Sequence, residues 1–368
     1  MKVSILLPYY NDRKFLKKSI ESVLAQSFQD FELILVNHAT TDECREIAHS
    51  YDDPRIVHID MDKNYGAGTG LITERFLEVA KGEYIKTFCA DDIMYKNCLK
   101  DLVEYMDSHP EKDFAFGDVE YIDEFGNSKN KRWFTNRNVF NLNNDEIACL
   151  KLIYQARGGY LPYIGAIIRA KAERSIKLDK SMIAIFDVAL WVMLLVKGYK
   201  IGYLNKVVAG YRIHKNQLTC LANKNKIRVN YRYEALKFME IFFQIDDYKM
   251  LSGLFSDNKY IKRGINITKE DFEFIIAYEL MSSPDMGGQF IGYCHLYDML
   301  QDETKRIYLE KKFNFSIKDF RQIYSTLSIE DFDQKNSLKR RLYFFAKKLS
   351  KILTCPDIRN RKSKQESL

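Results

Sequence analysis

The sequence predicts an α/β fold: a mostly parallel sheet flanked by helices, followed by a mainly helical C-terminal region. Three observations point there. Short β-branched runs alternate with amphipathic stretches from the N-terminus onward, the pattern of a parallel α/β sheet. Polar and turn residues cluster directly after those runs, where such sheets place their ligand loops. From about residue 221 the strand signals fade and helix starts such as Thr268-x-x-Asp271 and Ser316-x-x-Asp319 take over.

In order, Val3 to Leu7 reads as the first strand. Asn11 or Asp12 can cap a helix whose apolar positions Leu16, Ile20, Val23 and Leu24 fall three and four apart. Phe31 to Val36 is a second strand, and Thr40-x-x-Glu43 a capping box for the helix after it. A third strand spans Arg55 to Ile59; a helix from Ile72 to Ala80 stops at Gly82; and Glu83 to Phe88 runs into Asp91-Asp92. Further on, Phe114 to Ile122 is a strand ending in a Glu124-Phe125-Gly126-Asn127 turn, Ile147 to Tyr154 a helix and Ile164 to Ile168 a buried strand. Asp187 to Val196 is a helix stopped by Gly198, and short strands at Ile201 to Leu204 and Val207 to Ile213 close the unit. The expected organisation is therefore residues 1–220, a helical region 221–338 and a basic tail 339–368.

A chain of 368 residues with 46% apolar and 14% aromatic content can bury a sizeable core, which excludes a disulfide-stapled miniature and a disordered chain. Its longest apolar run, Val188 to Val196, is far short of the roughly 18–20 residues of a spanning helix. Val3 to Leu7 stops at Pro8 without a cleavage site, so no secretory signal is expected. Seven cysteines with no Cys-x-x-Cys pair fit a reducing cytoplasm. The net charge of +7 is uneven, because residues 339–368 hold ten Lys/Arg against Asp357 and Glu366. The remainder carries 47 Lys/Arg and 48 Asp/Glu, so a basic surface belongs to the tail.

Four polar clusters follow the first four strands: Pro8-Tyr9-Tyr10-Asn11, Asn37 to Asp42, Asn64 to Gly70 and Cys89-Ala90-Asp91-Asp92. Singly, Pro8 and Asn11 could serve a turn and a cap, Asp42 the helix dipole and Asp92 an N-cap. Two adjacent acids after a buried strand are more than a cap needs. They suit Mg²⁺ or Mn²⁺, which takes oxygen ligands and shares them with substrate phosphates.

These motifs resemble glycosyltransferase family 2. The resemblance rests on Val3-Ser4-Ile5-Leu6-Leu7-Pro8-Tyr9-Tyr10-Asn11, on Ser22-Val23-Leu24-Ala25-Gln26-Ser27-Phe28 with Phe31 to Val36, and on Thr40-Thr41-Asp42. Ala80-Lys81-Gly82-Glu83-Tyr84-Ile85 with Asp91-Asp92 extends it. It resumes at Asp187, Leu190-Trp191, Gly198 to Ile201 and Tyr211-Arg212-Ile213-His214, so it covers roughly residues 2–219. It implies the GT-A fold, a Rossmann-like sheet, and transfer of a sugar from a nucleotide diphosphate. Pro8, Tyr9, Tyr10, Asn11, Asn37, Asp42, Asn64, Gly66 and Asp91 would then hold the nucleotide. Asp91, Asp92 and His214 would hold Mn²⁺ or Mg²⁺, and Asp187 would be the base that takes the acceptor proton.

Three positions depart from the family pattern. Asn37 stands where the base-contacting acid is expected, and can still bond a uracil or thymine edge with one donor and one acceptor. Cys89 stands at the first acid of Asp-x-Asp, which leaves Asp91 to carry the metal with Asp92 behind it. The Arg-Asn pair that follows the glycines is absent, with Leu71-Ile72 near its place, so one diphosphate contact is either lost or supplied by Arg75 or Lys63.

In the tail, Leu342, Phe345, Ala346, Leu349, Ile352 and Leu353 fall at helical spacing, with Lys339, Arg340, Lys347, Lys348 and Lys351 for the other face. That pattern fits an interfacial helix on an anionic leaflet, at about 1 kcal/mol per basic residue. Packing on the helical region is the competing use of its apolar face. Nucleic acid is the rival partner for such charge, but no nucleic-acid fold accompanies it. The expected function is an inverting, metal-dependent transfer from a UDP-sugar or similar donor to a glycan or lipid-linked acceptor in surface polysaccharide synthesis. It would act in the cytoplasm, peripheral on the inner face of the membrane. The alternatives are a degenerate binding module of the same fold and a nucleotidyltransferase, the latter disfavoured by the lack of a Gly-rich, Lys-bearing loop.

Overall fold

The computed structural model describes residues 1–65, 70–134, 145–156, 161–177, 179–180, 182–183, 185–215, 217, 234–283 and 286–326. It divides into two compact units, Met1–Gln301 and Asp302–Leu368. The expected break near residue 220 and the basic tail both lie outside the described residues.

The first unit is built on a nine-stranded sheet. Its strands are β1 (Val3–Tyr9), β2 (Phe31–Asn37), β3 (Ile56–Asp60), β4 (Tyr84–Thr87), β5 (Ile93–Met94), β6 (Phe114–Ile122), β7 (Ser128–Arg132), β8 (Ala166–Arg169) and β9 (Ile201–Arg212). They lie in the order β3-β2-β1-β4-β8-β6-β9-β5, with β7 beside β6. Strands β3, β2, β1 and β4 are mutually parallel; β8 runs antiparallel between β4 and β6, which makes the sheet mixed. The interleaved helices are α1 (Leu16–Leu24), α2 (Cys44–His49), α3 (Gly70–Val79), α4 (Cys98–Ser108), α5 (Glu146–Ala156), α6 (Ala170–Arg174) and α7 (Phe186–Val196).

The period of two along β1 explains why both faces are covered. Val3, Ile5 and Leu7 pack with Leu16, Ile20 and Val23 of α1. Leu6, one residue out of step, joins Ile34, Val36, Ile72 and Phe76 on the opposite face, against α3. Helix α7 is apolar on every side because it is buried all round, and its Trp191 stacks against Phe114 and meets Phe116 edge-on at 4.7 Å.

Four local expectations change. The cap before α1 is neither Asn11 nor Asp12; Phe15 occupies that position, and the Asp12 carbonyl accepts the Phe15 and Leu16 N–H groups. The capping box at Thr40 and Glu43 does not form. Instead Asp42 accepts the Cys44 N–H at 3.0 Å and the Thr40 hydroxyl at 2.7 Å, a tighter local turn. The last two expected strands are one strand, β9: Asn205-Lys206, which reads as a break, is absorbed by a register shift where Gly117 pairs with Leu204 and Asp118 with Val207. Ile164 falls in a single 3₁₀ turn, Tyr163–Gly165, so β8 begins only at Ala166.

Beyond β9 the first unit is helical, with Tyr248–Leu254, Phe272–Met281 and Met286–Gln301 as its larger pieces. The box at Thr268 and Asp271 forms as expected, with the Thr268 N–H and hydroxyl both donating to Asp271 Oδ2 at 2.6 and 2.9 Å. The second unit shows helices Glu303–Phe313 and Ile317–Thr326, the first capped by Asp302 accepting the Lys305 N–H. Its Ser316 N–H and hydroxyl likewise donate to Asp319. Among the described residues no helix is long and apolar enough to cross a membrane.

Candidate active site

Parallel pairing aligns the ends of β1, β2 and β3, so Tyr9 faces Asn37 and Asn37 faces Asp60 across one row at the carboxyl edge of the sheet. Around that row, Asn11 takes a left-handed conformation (φ 54°) and knits the first two loops: its N–H donates to Thr40 Oγ1 at 3.0 Å, and its Oδ1 accepts the Thr41 N–H at 2.9 Å. Pro8 lies within β1, Tyr9 is buried and Tyr10 is exposed. Asp42 is held below the usual carboxylate range by hydrogen bonds from Thr40, Cys44 and the Arg13 N–H, which outweigh its desolvation.

Asn37 is buried, and both ends of its amide are engaged. Nδ2 donates to Asp60 Oδ1 at 2.8 Å, and Oδ1 accepts the Thr40 N–H at 2.9 Å. Arg45 holds the other Asp60 oxygen at 3.1 Å. An acid therefore stands beside the position where the family pattern has one, supplied by β3; sequence reading missed it because the pairing is between strands. The neighbouring His38 accepts the Tyr65 N–H through Nε2 at 3.1 Å, and burial keeps its pKa below the usual histidine value. Asn64 precedes Tyr65 in that loop; Gly66 lies outside the described residues.

The second half of the site forms where β4 runs out. Cys89, Asp91 and Asp92 each offer a ligand atom, all within 4.8 Å of one another. His214, just past β9, places Nε2 at 2.9 Å from Asp91 Oδ2 and packs its ring on Phe15. It reaches the cluster through Asp91. Asp92 is buried; its Oδ1 accepts the Arg212 N–H at 2.7 Å, while Oδ2 has no hydrogen-bond partner. Burial, with the Asp91 charge next, pushes its carboxyl well above the usual range. Asp12 closes the group from the first loop, raised to about 6 by burial and then by Asp91.

Two buried cations frame these acids, and neither was singled out as a site residue in the sequence. Arg212 is fully buried, donates through Nε to the Asp91 carbonyl at 2.6 Å and through Nη1 to the Asp123 and Glu124 carbonyls at 3.2 and 2.8 Å, and covers the Phe15 ring. Lys86, on β4, is also fully buried; Nζ donates to the Thr87 and Ile164 carbonyls at 2.9 and 2.5 Å, and its charge is felt by Cys89 and Asp92. A lone charge in the otherwise uncharged run from Tyr84 to Phe88 was its signal.

Asp187, in the first turn of α7, accepts the Val188 N–H at 2.8 Å and is raised to about 6 by burial. It lies near enough to Cys89 and Tyr163 for its charge to raise both their pKa values. The donor set of one thiol and two carboxylates, with an orphaned buried oxygen on Asp92, fits a divalent cation. The loops of β1, β2 and β3 provide amides, hydroxyls and a carboxylate for a polar ligand beside it.

Residues 4–168 match the Glycosyl transferase family 2. The putative teichuronic acid biosynthesis glycosyltransferase TuaG of Bacillus subtilis is 28% identical over 65% of this chain and 90% of its own. The UDP-Glc:alpha-D-GlcNAc-diphosphoundecaprenol beta-1,3-glucosyltransferase WfaP of Escherichia coli is 27% identical over 61% of this chain and 83% of its own. Among solved structures, residues 1–349 of S. aureus TarS in complex with UDP share the fold with a TM-score of 0.53 at 15% identity, covering 89% of this chain and 91% of that one.

Proposed function

Because the chain belongs to glycosyl transferase family 2 and has its GT-A fold, we propose that it transfers a sugar, with inversion, from a UDP-sugar to a hydroxyl of a glycan or lipid-linked acceptor in surface polysaccharide synthesis. The observation that carries this reading is the pairing of an acidic cluster at Asp91-Asp92 with a separate half-buried carboxylate, Asp187, near the same loop. The names of TuaG and WfaP support the acceptor class, and the UDP complex of TarS supports the base.

The residues divide the work as follows. The loops bearing Pro8 to Asn11 and Asn37 to Asp42, with Asn64 and Gly66, hold the nucleoside; the Asn37 amide, fixed by Asp60 and Thr40, presents a set hydrogen-bond face to the base. Asp91, held by His214, and Asp92 with Cys89 would hold Mn²⁺ or Mg²⁺. Such an ion, when bound, offsets charge on the departing diphosphate. Asp187 takes the proton of the acceptor hydroxyl as that oxygen attacks the anomeric carbon. Burial raises its basicity toward neutrality, which suits a general base.

Calorimetric titration with UDP, GDP, CDP and dTDP, each with and without Mn²⁺, tests the donor site. Metal-dependent binding of UDP that disappears in Asp91→Ala is the expected result. Absence of binding by all four nucleotides would overturn the assignment.

A further inference from the structure

We propose that Cys89 Sγ is itself a ligand in a mixed thiolate–carboxylate cation site, so that this chain selects a borderline-soft divalent cation, Zn²⁺ or Co²⁺, over Mg²⁺. The inference rests on the reading above that the β4 loop holds a cation, and goes beyond it by naming the donor that decides which one.

Three observations support it. Cys89 is a free thiol whose Sγ lies within 4.8 Å of the ligand atoms of Asp91 and Asp92, so one ion can touch all three. Asp92 keeps Oδ2 unpartnered although the residue is only 1% exposed. An orphaned buried oxygen is costly, and a bound cation satisfies it. Lys86 is the third: it is fully buried with both its hydrogen bonds on neutral carbonyls, and it stands close enough to Cys89 and Asp92 for its charge to act on both. Burial and then the Asp92 and Asp91 charges nonetheless hold the Cys89 thiol well above its usual pKa, so a cation that ligates Sγ displaces its proton on binding.

The selectivity follows from ligand chemistry. Mg²⁺ demands oxygen donors in near-ideal octahedral geometry and gains little from sulfur. A thiolate with two carboxylates forms a set that Zn²⁺ and Co²⁺ accept, with Mn²⁺ between them and Mg²⁺. His214, already bonded to Asp91, can orient that carboxylate from behind.

The test uses the full chain with Co²⁺ as an optical probe, titrated with and without UDP. The thiolate-to-cobalt charge-transfer band in the near ultraviolet should develop in the wild type and be missing from Cys89→Ser. Calorimetry should show the Zn²⁺ over Mg²⁺ preference falling in Cys89→Asp by at least the roughly tenfold that loss of even a supporting group costs. Alkylation of Cys89, located by peptide mass spectrometry, should be slowed by Zn²⁺ in the wild type, a readout that needs no variant to fold. Metal-dependent UDP binding with no cobalt band, no protection of Cys89 and an unchanged metal preference in Cys89→Asp would overturn the proposal. Failure to bind UDP with every cation would instead overturn the donor-site reading, and the cobalt band without nucleotide would still decide the thiolate.

Discussion

Asp187 stands in the first turn of a helix buried on every side, and its carboxyl is raised to about 6 by that burial. Two consequences can be measured together. On the proposed reading, Asp187→Asn keeps an oxygen for the Val188 N–H but removes the proton acceptor, so kcat should fall about 10²–10⁴-fold while UDP binding is unchanged. Because the folded-state pKa is above the unfolded one, ionisation of Asp187 destabilises the fold as pH rises from about 4 to about 6. The Asn variant should therefore be more stable than the wild type above pH 6, by the order of 2 kcal/mol, and indistinguishable near pH 4. Denaturant titrations at the two pH values check this, and the activity of the wild type should rise through the same pH range. At this scale the sequence was legible where one residue carried its own signal, as with adjacent acids after a strand. It was opaque where the signal lay in a partner. Nothing local tells that Asn37 is bonded to Asp60, or that Arg212 grips the Asp91 and Glu124 carbonyls.

Strands and helices were easier to place than their ends. Periodicity located β1, β2, β6 and α7 within two residues, because burial on both faces leaves mostly apolar runs. The caps failed for a physical reason: Asn11 and Thr40 are drawn into bonds between the first two loops, and a side chain so engaged no longer serves the nearest helix. A second feature of this scale is the contact between Phe272–Met281 and Met286–Gln301. A Cβ added at Gly292 would lie 2.4 Å from the Ala277 carbonyl oxygen and 2.3 Å from the Met281 nitrogen. Alanine gains about 1 kcal/mol of helix propensity, but the clash is with backbone that cannot swing away, and overpacking costs about 1–3 kcal/mol. Gly292→Ala should accordingly lower the melting temperature; an increase would mean the two helices part without cost.

For the molecule as a whole, the distribution of charge gives the next prediction. The 338 residues before the tail are close to neutral, and ten of the 57 Lys/Arg lie in the last 30 positions. We propose that this segment binds anionic membrane surfaces. Flotation with anionic liposomes should carry the full chain upward and leave behind a chain stopped before Leu338, with about 1 kcal/mol lost per basic residue that reached the leaflet. Equal flotation of the two would assign the apolar face of the tail to packing instead. Sequence composition made this region visible as a basic tail, whereas the unit boundary at Gln301 and Asp302 left no compositional mark.

The two-residue strand β5, which directly follows Asp91-Asp92, pairs with Ala209 and Gly210 of β9, the last strand of the sheet; His214 then follows β9. The acidic loop and its histidine are thus joined across more than 120 residues of intervening chain. Contacts that distant close slowly. On the ribosome the first strands emerge long before β9 has left the exit tunnel, and until then every nascent chain holds its acids without the group that steadies them. On the proposed reading, competence to bind a nucleotide is accordingly a late event in the life of each molecule. Chains that terminate prematurely before residue 214 should be folded in part yet inert.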